Sequence, residues 1–157
     1  MNEYILRYAK EKDIPAINSL SIEMHRYMGN LVGRKFSLME LEEEKVSKSE
    51  LKGIIVAEEK SRGKVIGYTS FDTKPTYDEW YGKHIYLFEI CVNNKYRGKG
   101  IGKLLINKVI SFAKNKKANL KVDTFFKNKN TIEFYKKLGF KPFMTYFIRE
   151  NEKKLKL

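Results

Sequence analysis

The sequence has 157 residues, of which 32 are Lys or Arg and 19 are Asp or Glu, so its net charge is +13 at pH 7. This length predicts one domain over residues 1–157, with a core large enough to be stable without metals or disulfides. The basic residues are dispersed over both halves of the chain, so we expect a solvated basic surface and no nucleic-acid partner.

Two further properties bear on location. The sequence enters a strand pattern at once, with no signal-peptide pattern, and no apolar run approaches the ~20 residues of a membrane span. The single cysteine, Cys91, lies in an apolar segment, which favours a reduced packing thiol over a nucleophile. These features predict a cytoplasmic protein without a membrane partner.

The amino-terminal part of the chain predicts a strand and then a helix. Residues 4–8 have the pattern of a strand, and Asp13 followed by Ile14 and Pro15 marks a helix start, because proline is favoured in the first turn. Apolar residues then recur at helical spacing, at Ile14, Ile17, Leu20, Met24 and Tyr27.

A second helix and a hairpin follow. Residues 37–46 predict a helix, with Ser37 and Glu40 in the pattern of a capping box. Residues 53–58 and 64–71 predict two antiparallel strands joined by a tight turn.

The middle of the chain predicts a strand, a glycine-rich turn and a helix. A polar loop over residues 72–83 leads into a central strand over residues 85–92, and an amphipathic helix occupies residues 101–113. Between them stands Arg97-Gly98-Lys99-Gly100-Ile101-Gly102, where three glycines allow successive backbone N–H groups to converge on an anion. Because the helix start adds unpaired N–H groups and a positive dipole end, this turn is a candidate pyrophosphate cradle.

Two other phosphate-binding motifs do not fit this turn. A P-loop requires Ser or Thr after its Gly-Lys pair, and here Leu104 follows Lys103. A dinucleotide-binding motif requires a different glycine spacing, although Asp123 stands near the expected distance for its acidic residue.

The carboxyl-terminal part predicts two strands and a helix. Residues 120–124 form the next predicted strand, and Asn128 or Asn130 caps a helix that Gly139 ends. Residues 142–149 predict a last strand, and we expect residues 151–157 to be frayed. The predicted fold class is α/β, with a mostly antiparallel sheet.

Two segments together resemble a known family. The pattern of Arg97, Gly100 and Gly102 is similar to the acyl-CoA pyrophosphate loop of the GNAT superfamily of N-acetyltransferases. Residues 128–140 resemble the Asn-x-x-Ala-Ile-x-Leu-Tyr-x-Lys-x-Gly-Phe element that ends the same CoA site. The resemblance implies the GNAT fold: a mixed, mostly antiparallel twisted sheet with flanking helices, in which two central strands run parallel and splay apart.

The resemblance also implies a cofactor site for acetyl-CoA, with CoA as the product. The pantetheine arm would pair with the strand edge at residues 90–92, and the N–H of Val92 would bind the thioester oxygen. The cofactor-binding residues implied in this way are Ile90, Cys91, Val92, Arg97, Gly98, Lys99, Gly100, Ile101, Gly102, Lys103 and Asn128. Asn128 would hold the pantetheine, cap the helix, or do both.

The acceptor implied by the family is a primary amine, which must lose a proton before it attacks. Glu89 stands where the family often has a base that acts directly or through an ordered water. Its alternative role is a carboxylate paired with a core Lys, Arg or Tyr. Tyr135 matches the family's general acid for the CoA thiolate, and its alternative role is aromatic packing. Asp123 is a second carboxylate, structural or in contact with substrate.

The sequence does not identify the acceptor. Residues 76–87 resemble a loop of the diamine and polyamine acetyltransferases, in which Asp78 and Trp80 would face a cationic substrate. Two departures weaken this resemblance, since Phe88 replaces an acidic residue before Glu89 and residues 25–27 replace an acidic helix segment. An aminoglycoside, a peptide or protein amine, or an inactive CoA-binding regulatory module are the alternatives.

Two smaller predictions concern assembly and metals. A homodimer is compatible with the sequence, through the sheet edge or the final strand. We expect no metal site, because His25 and His84 are far apart in the sequence and lack the spacing of a ligand set.

Overall fold

A computed structural model describes residues 3–43 and 45–149. Its strands are β1 (Tyr4–Tyr8), β2 (Ile54–Glu59), β3 (Lys64–Phe71), β4 (Thr76–Asp78), β5 (Gly82–Val92) and β6 (Asn119–Val122). Its helices are α1 (Ile14–Val32), α2 (Leu38–Glu43), α3 (Ile101–Asn115) and α4 (Lys129–Lys137). Short 3-10 turns occupy Glu11–Asp13, Lys48–Gly53 and Asn94–Tyr96.

The strands form one mixed sheet in the order β1-β2-β3-β5-β4, and β6 pairs with β5 as well. All pairs are antiparallel except β5 with β6, which run parallel. The prediction of a mostly antiparallel sheet with a central parallel pair is therefore confirmed.

The parallel pair is short, and the two strands then part. β6 pairs with β5 only from His84 to Leu87 and ends at Val122, whereas β5 continues to Val92 beside β3. The N–H of Asn93 donates to the carbonyl of Ile66 at 2.8 Å. Because amides along an antiparallel strand point alternately to its two edges, those of Val92 and Ile90 point away from β3 into the opening.

A β-bulge at Phe88 changes which face of β5 each side chain occupies. Ser70 pairs with Glu89 and Phe71 with Leu87, so Phe88 is the extra residue. Leu87 consequently packs in the core beneath α3, whereas Cys91 packs in the core beneath α1. The bulge also turns Glu89 toward α1, where its carboxylate contacts Tyr68 and His25.

The sheet has an apolar layer on each face. The layer beneath α3 contains Ile55, Ala57, Ile66, Phe71, Ile85, Leu87, Ile101, Leu105, Ile106, Val109, Ala113 and Tyr135. The layer beneath α1 contains Ile17, Leu20, Ile54, Val56, Val65, Tyr68 and Cys91. The apolar faces predicted for α1 and α3 supply these contacts, which fixes both helices against the sheet.

One predicted element is absent from the described residues, and two others differ clearly from the structure. Residues 142–149 form no strand and are exposed, although Phe143 packs its ring 4.8 Å from that of Tyr81. Strand-forming side chains need a partner strand, and none pairs with this segment in the described part of the chain. Residues 151–157, expected to be frayed, lie outside the described residues.

The other two differences are smaller. The loop predicted over residues 72–83 contains the short strand β4, and β5 begins at Gly82, three residues early. The helix predicted over residues 37–46 ends at Glu43, but its capping box forms: the N–H of Glu40 donates to Ser37 Oγ at 3.2 Å and the N–H of Ser37 to Glu40 Oε2 at 2.8 Å.

None of the helices in the described residues is long and apolar enough to span a bilayer.

Candidate functional site

The glycine-rich turn has the shape that its sequence predicts. It connects the end of β5 to α3, and both Gly98 and Gly100 adopt left-handed conformations, with φ of 77° and 79°. A Cβ atom at either position would meet no atom within 4 Å. Backbone conformation, and not lack of space, is therefore what requires glycine here.

The start of α3 presents free amides at this turn. The first N–H to find a carbonyl is that of Leu104, which donates to Gly100 at 3.1 Å. The N–H groups of residues 101–103 precede it and have no carbonyl within the helix. Together with the positive end of the helix dipole, they form a surface suited to a diphosphate.

The Arg97 side chain folds back over the end of β5. Its Nε donates to the carbonyl of Val92 at 3.0 Å, and its Nη2 lies 3.8 Å from Glu23 Oε1 on α1. The guanidinium also lies 5.9 Å from the ring centre of Tyr27. These contacts fix the turn relative to both β5 and α1.

The last residues of β5 carry two free amides at the edge beside the opening and one thiol buried beneath α1. The amides of Ile90 and Val92 point into the opening, while the Cys91 sulfur is buried and donates to the carbonyl of Leu20 at 3.4 Å. Burial raises the pKa of the Cys91 thiol to about 12, which keeps it protonated. Cys91 is thus a packing residue, as its sequence context predicted.

Glu89 lies at the inner end of the opening with one oxygen engaged and one free. The hydroxyl of Tyr68 donates to Glu89 Oε2 at 2.5 Å. Burial, and then the charge of Glu89, raise the pKa of Tyr68 well above its ordinary value, so Tyr68 stays a donor. Glu89 Oε1 faces His25 Nε2 at 4.0 Å, and the Glu89 side chain is 22% exposed. The alternative of a tyrosine partner is therefore realised, and one carboxylate oxygen is still available for chemistry.

Sequence reasoning missed His25 as a site residue. It projects from α1, where Nδ1 donates to the carbonyl of Ser21 at 2.9 Å, and its ring packs edge-on against Phe36. Ser21, one helical turn before His25, was the local signal for a hydrogen-bonded histidine. Nothing in the sequence connects α1 to Glu89.

Tyr135 and Asp123 lie on the other side of the opening. The ring of Tyr135 packs against Phe134 and Phe140 in the layer beneath α3, which is the packing role considered from sequence. Burial, and then the charge of Asp123, raise the pKa of the Tyr135 hydroxyl. Asp123 itself accepts a hydrogen bond from the hydroxyl of Tyr86. This pair links β5 to the end of β6 where the strands separate.

Asn128 occupies the N-cap position of α4, but its side chain does not cap the helix. Its Nδ2 lies 3.4 Å from Thr124 Oγ1 and 3.5 Å from Met28 Sδ on α1. The contact with Met28 therefore joins α1 to the start of α4.

A cavity of about 540 Å³ lies on the α1 face of the sheet beside Glu89. Its lining includes Ser70, Tyr86 and Phe88 as well as three acidic residues, Glu50, Asp72 and Glu89, and one basic residue, Lys52. Hydrogen bonds from Ser47 lower the pKa of Glu50. The cavity therefore carries an excess of negative charge in a strongly basic protein.

Asp78 and Trp80 lie in the turn between β4 and β5, apart from the cradle and Glu89. Asp78 Oδ1 accepts the N–H groups of Trp80 and Tyr81, at 2.8 and 3.3 Å, and Trp80 is exposed. Gly82 and Glu89 are seven residues apart on one strand, about 23 Å at roughly 3.3 Å per residue. The role of Asp78 and Trp80 as substrate contacts stays a prediction.

No group of three or more His, Cys, Asp or Glu side chains within residues 3–43 and 45–149 is arranged to hold a metal ion.

The fold and the turn define the class of protein. The model of the acetyltransferase (GNAT) family matches residues 25–140, which include β2 to β6 and both predicted motifs. The chain belongs to this family.

Similar proteins include several acetyltransferases. Thialysine N-epsilon-acetyltransferase of Bos taurus is 38% identical over 76 residues, which are 48% of this chain and 44% of that protein. The Mus musculus enzyme of the same name is 38% identical over 55% of this chain and 51% of its own length. The chain thus spans about half the length of these curated relatives. The L-amino acid N-acetyltransferase AaaT of Escherichia coli is 23% identical over 89% of this chain and 84% of its own.

Solved structures agree on the fold. A putative acetyl transferase from Pyrococcus furiosus has a TM-score of 0.75 at 24% identity and covers 95% of this chain and 100% of its own. An aminoglycoside N-acetyltransferase in complex with CoA has a TM-score of 0.70 at 16% identity, covering 95% of both chains.

Proposed function

We propose that this protein transfers the acetyl group of acetyl-CoA to a primary amine of a small cationic molecule. The observation that carries the proposal is the geometry of β5. One continuous strand leads from Glu89, past two free amides, to a turn whose amides suit a diphosphate. A donor that combines a diphosphate with a peptide-like arm and a thioester matches this order.

The donor would bind mainly to the backbone. The diphosphate would take the amides between Arg97 and Lys103, and the pantetheine would pair with the edge amides of Ile90 and Val92. Either of these two amides would be available to the thioester oxygen as its negative charge grows, and the family resemblance assigns this role to Val92. The exposed lysines nearest the turn in sequence, Lys95, Lys99 and Lys103, would attract the phosphates, as would Lys127 and Lys129 before α4.

The acceptor would approach from the face that carries the acidic cavity. Its ammonium group would meet Glu89 and lose a proton directly or through water before attacking the thioester carbon. Asp72 and Glu50 would attract a second positive charge on the same molecule. Thialysine and amino-acid substrates in the names of similar proteins are compatible with this acceptor class.

Tyr135 would complete the reaction as the acid. Its hydroxyl is protonated at neutral pH, and burial and the charge of Asp123 raise its pKa further, so it holds a proton that the departing thiolate would take.

The test has two stages. Calorimetry with acetyl-CoA and with CoA measures donor binding, and absence of binding to both would overturn the proposal. CoA release is then followed with thialysine, putrescine, an aminoglycoside and a peptide as acceptors, and mass spectrometry identifies any acetylated product. Release without an acetylated amine in any reaction would leave only a CoA-binding module.

A further inference from the structure

We propose that His25 is a catalytic residue that accepts the proton from the acceptor ammonium, with Glu89 holding the charged imidazole. This inference rests on the proposed acetyl transfer and assigns to His25 the proton that Glu89 would otherwise accept. The geometry around the imidazole supports this role.

The first step concerns which ring nitrogen carries the hydrogen. A backbone carbonyl only accepts hydrogen bonds, so the 2.9 Å contact between Nδ1 and the carbonyl of Ser21 requires a hydrogen on Nδ1. Ser21 Oγ lies 3.2 Å from the same nitrogen. The neutral ring therefore presents an unprotonated Nε2, which is the basic nitrogen.

The second step concerns what Nε2 faces. It lies 4.0 Å from Glu89 Oε1, which is too long for a direct hydrogen bond. Two acceptors at this distance can share one donor that lies to the side of the line joining them. An ammonium nitrogen about 2.9 Å from each atom would donate one N–H to the imidazole and another to the carboxylate.

The third step compares the two bases. Glu89 Oε2 already accepts the buried hydroxyl of Tyr68, so only Oε1 is open. Imidazole is the side chain suited to exchanging protons near neutral pH, whereas a carboxylate is ordinarily the weaker base. The imidazole is thus the better acceptor near neutral pH, and the carboxylate is placed to stabilise the imidazolium.

The position and exposure of His25 leave its side chain accessible to a small acceptor molecule. Met28, one turn after His25, contacts Asn128 at the start of α4, which holds this part of α1 near α4. The His25 side chain is 25% exposed and therefore open to a small molecule. The titratable groups facing the imidazole from the sheet are Glu89 on β5 and, behind it, Tyr68 on β3.

The chemical step balances as follows. One proton passes from the ammonium to Nε2, and the freed nitrogen lone pair forms the N–C bond at the thioester carbonyl. The tetrahedral intermediate then breaks its C–S bond, and sulfur leaves with the electron pair and takes the proton of Tyr135. The second proton of the attacking nitrogen returns to Tyr135 through solvent, and His25 releases its own proton to water, so one net proton is released per acetyl transferred.

The test compares substitutions of two histidines that both place Nδ1 against a backbone carbonyl. His84 also has Nδ1 against a carbonyl, that of Gly82 at 3.0 Å, but it lies in the β4–β5 hairpin. With the best amine from the acceptor panel, we expect His25→Gln to lower kcat/KM about 10- to 100-fold, toward the low end of general-base effects. We expect His84→Gln to stay within about twofold, and acetyl-CoA affinity by calorimetry to be unchanged in both.

The pH profile separates base catalysis from structural damage. The His25→Gln defect should shrink as the pH approaches the pKa of the amine, about 10.4 for a lysine-like group, because the acceptor then needs no base. A defect that is constant with pH, or His25→Gln activity within twofold of wild type, would overturn the role of His25 while acetyl transfer by the wild type stands. If wild type itself transfers no acetyl group, it is the proposed function that fails.

The wild-type protein gives an independent measurement should His25→Gln not fold. Its kcat/KM should fall on the acid side as the base takes up a proton, and Glu89→Gln should keep this fall, because His25 is the proton acceptor. Loss of the acid-side fall in Glu89→Gln would assign the proton to Glu89 and overturn the inference.

Discussion

The Tyr68 hydroxyl donates a 2.5 Å hydrogen bond to Oε2 of Glu89, and this bond joins two neighbouring strands inside the layer beneath α1. Tyr68 is fully buried, so its hydroxyl depends on the carboxylate for a partner, and the carboxylate depends on the hydroxyl for its orientation. One pair therefore contributes both to the stability of the core and to the placement of the proposed active site.

Tyr68→Phe tests the structural half of this relationship. The substitution leaves Glu89 Oε2 without its donor, so we expect the free energy of unfolding to fall by about 1 to 3 kcal/mol. Urea unfolding of the two proteins measures the change. Tyr146→Phe, which removes an exposed hydroxyl, should change stability by less than about 0.5 kcal/mol. Equal effects of the two substitutions would contradict this account.

Gly100→Ala tests the diphosphate cradle, with Gly63→Ala as its matched control. Both glycines have positive φ, 79° and 61°, and a Cβ at either would meet no atom within 4 Å. Each alanine should therefore cost about 1 kcal/mol of stability through backbone strain. Because only Gly100 lies in the proposed cradle, only its replacement should weaken CoA binding, by about tenfold if the lost positioning costs ~1.4 kcal/mol. Calorimetry with CoA measures this difference. Equal Kd values for both variants would show that the turn is not part of the cofactor site.

Tyr135→Phe tests the proposed acid. The ring and its packing against Phe134 and Phe140 are kept, while the proton is lost. We expect kcat to fall about 10- to 100-fold with acetyl-CoA affinity nearly unchanged. Steady-state rates and calorimetry measure the two effects. Turnover equal to wild type would leave Tyr135 with a packing role only.

Asp72→Asn and Asp78→Asn distinguish two places for the acceptor. Asp72 lines the cavity beside Glu89, and Asp78 caps the distant hairpin turn. If the acceptor occupies the cavity, Asp72→Asn should raise KM for a dicationic amine about threefold to tenfold, the size of a partly screened charge pair, without lowering kcat. A larger KM effect from Asp78→Asn would instead support the hairpin as the acceptor contact predicted from sequence.

Asp13→Asn tests a pH dependence of stability that arises from a carboxyl outside the candidate functional site. Asp13 accepts two hydrogen bonds from Arg7, at 2.6 and 2.9 Å, and one from the N–H of Lys10. The Arg7 hydrogen bond is the main cause of the lowered pKa of this carboxyl. A carboxyl whose pKa is lowered by folding stabilises the protein above its unfolded value, near 3.9, and loses this contribution as the pH falls through the folded value.

The measurement is urea unfolding at several pH values. At pH 7 we expect Asp13→Asn to lower the free energy of unfolding by about 2 kcal/mol, and the difference from wild type should disappear in acid. Glu11→Gln, which removes an exposed ion pair to Lys48, should cost less than about 1 kcal/mol. A pH-independent effect of Asp13→Asn would show that the ion pair with Arg7 is not its cause.

Local elements were predictable from sequence where a few neighbouring residues specify them. The left-handed glycines, the start of α3 and the capping box of Ser37 and Glu40 each depend on residues within one or two turns. Residues 142–149 show the opposite case. Their aromatic and branched side chains favour a strand, but a strand also needs a partner edge, which the local sequence does not specify.

The site was predictable only for the residues that lie on one continuous stretch. Glu89, Val92 and the turn after it follow one another along the chain, so the motif located them together. Their partners come from elsewhere, as Tyr68 is 21 residues from Glu89, and His25 lies on a helix near the amino terminus. No periodicity connects such residues.

The sequence by itself thus determined the family, most of the elements and the conformation of the glycine-rich turn, because backbone conformation and helix ends are set by short-range chemistry. Only the tertiary structure decided which side chains meet Glu89. The bulge at Phe88 turns this residue toward α1, and the pairing of β3 with β5 brings Tyr68 to one of its oxygens while α1 brings His25 to the other. Those contacts follow from strand register and helix packing, which depend on the whole chain at once.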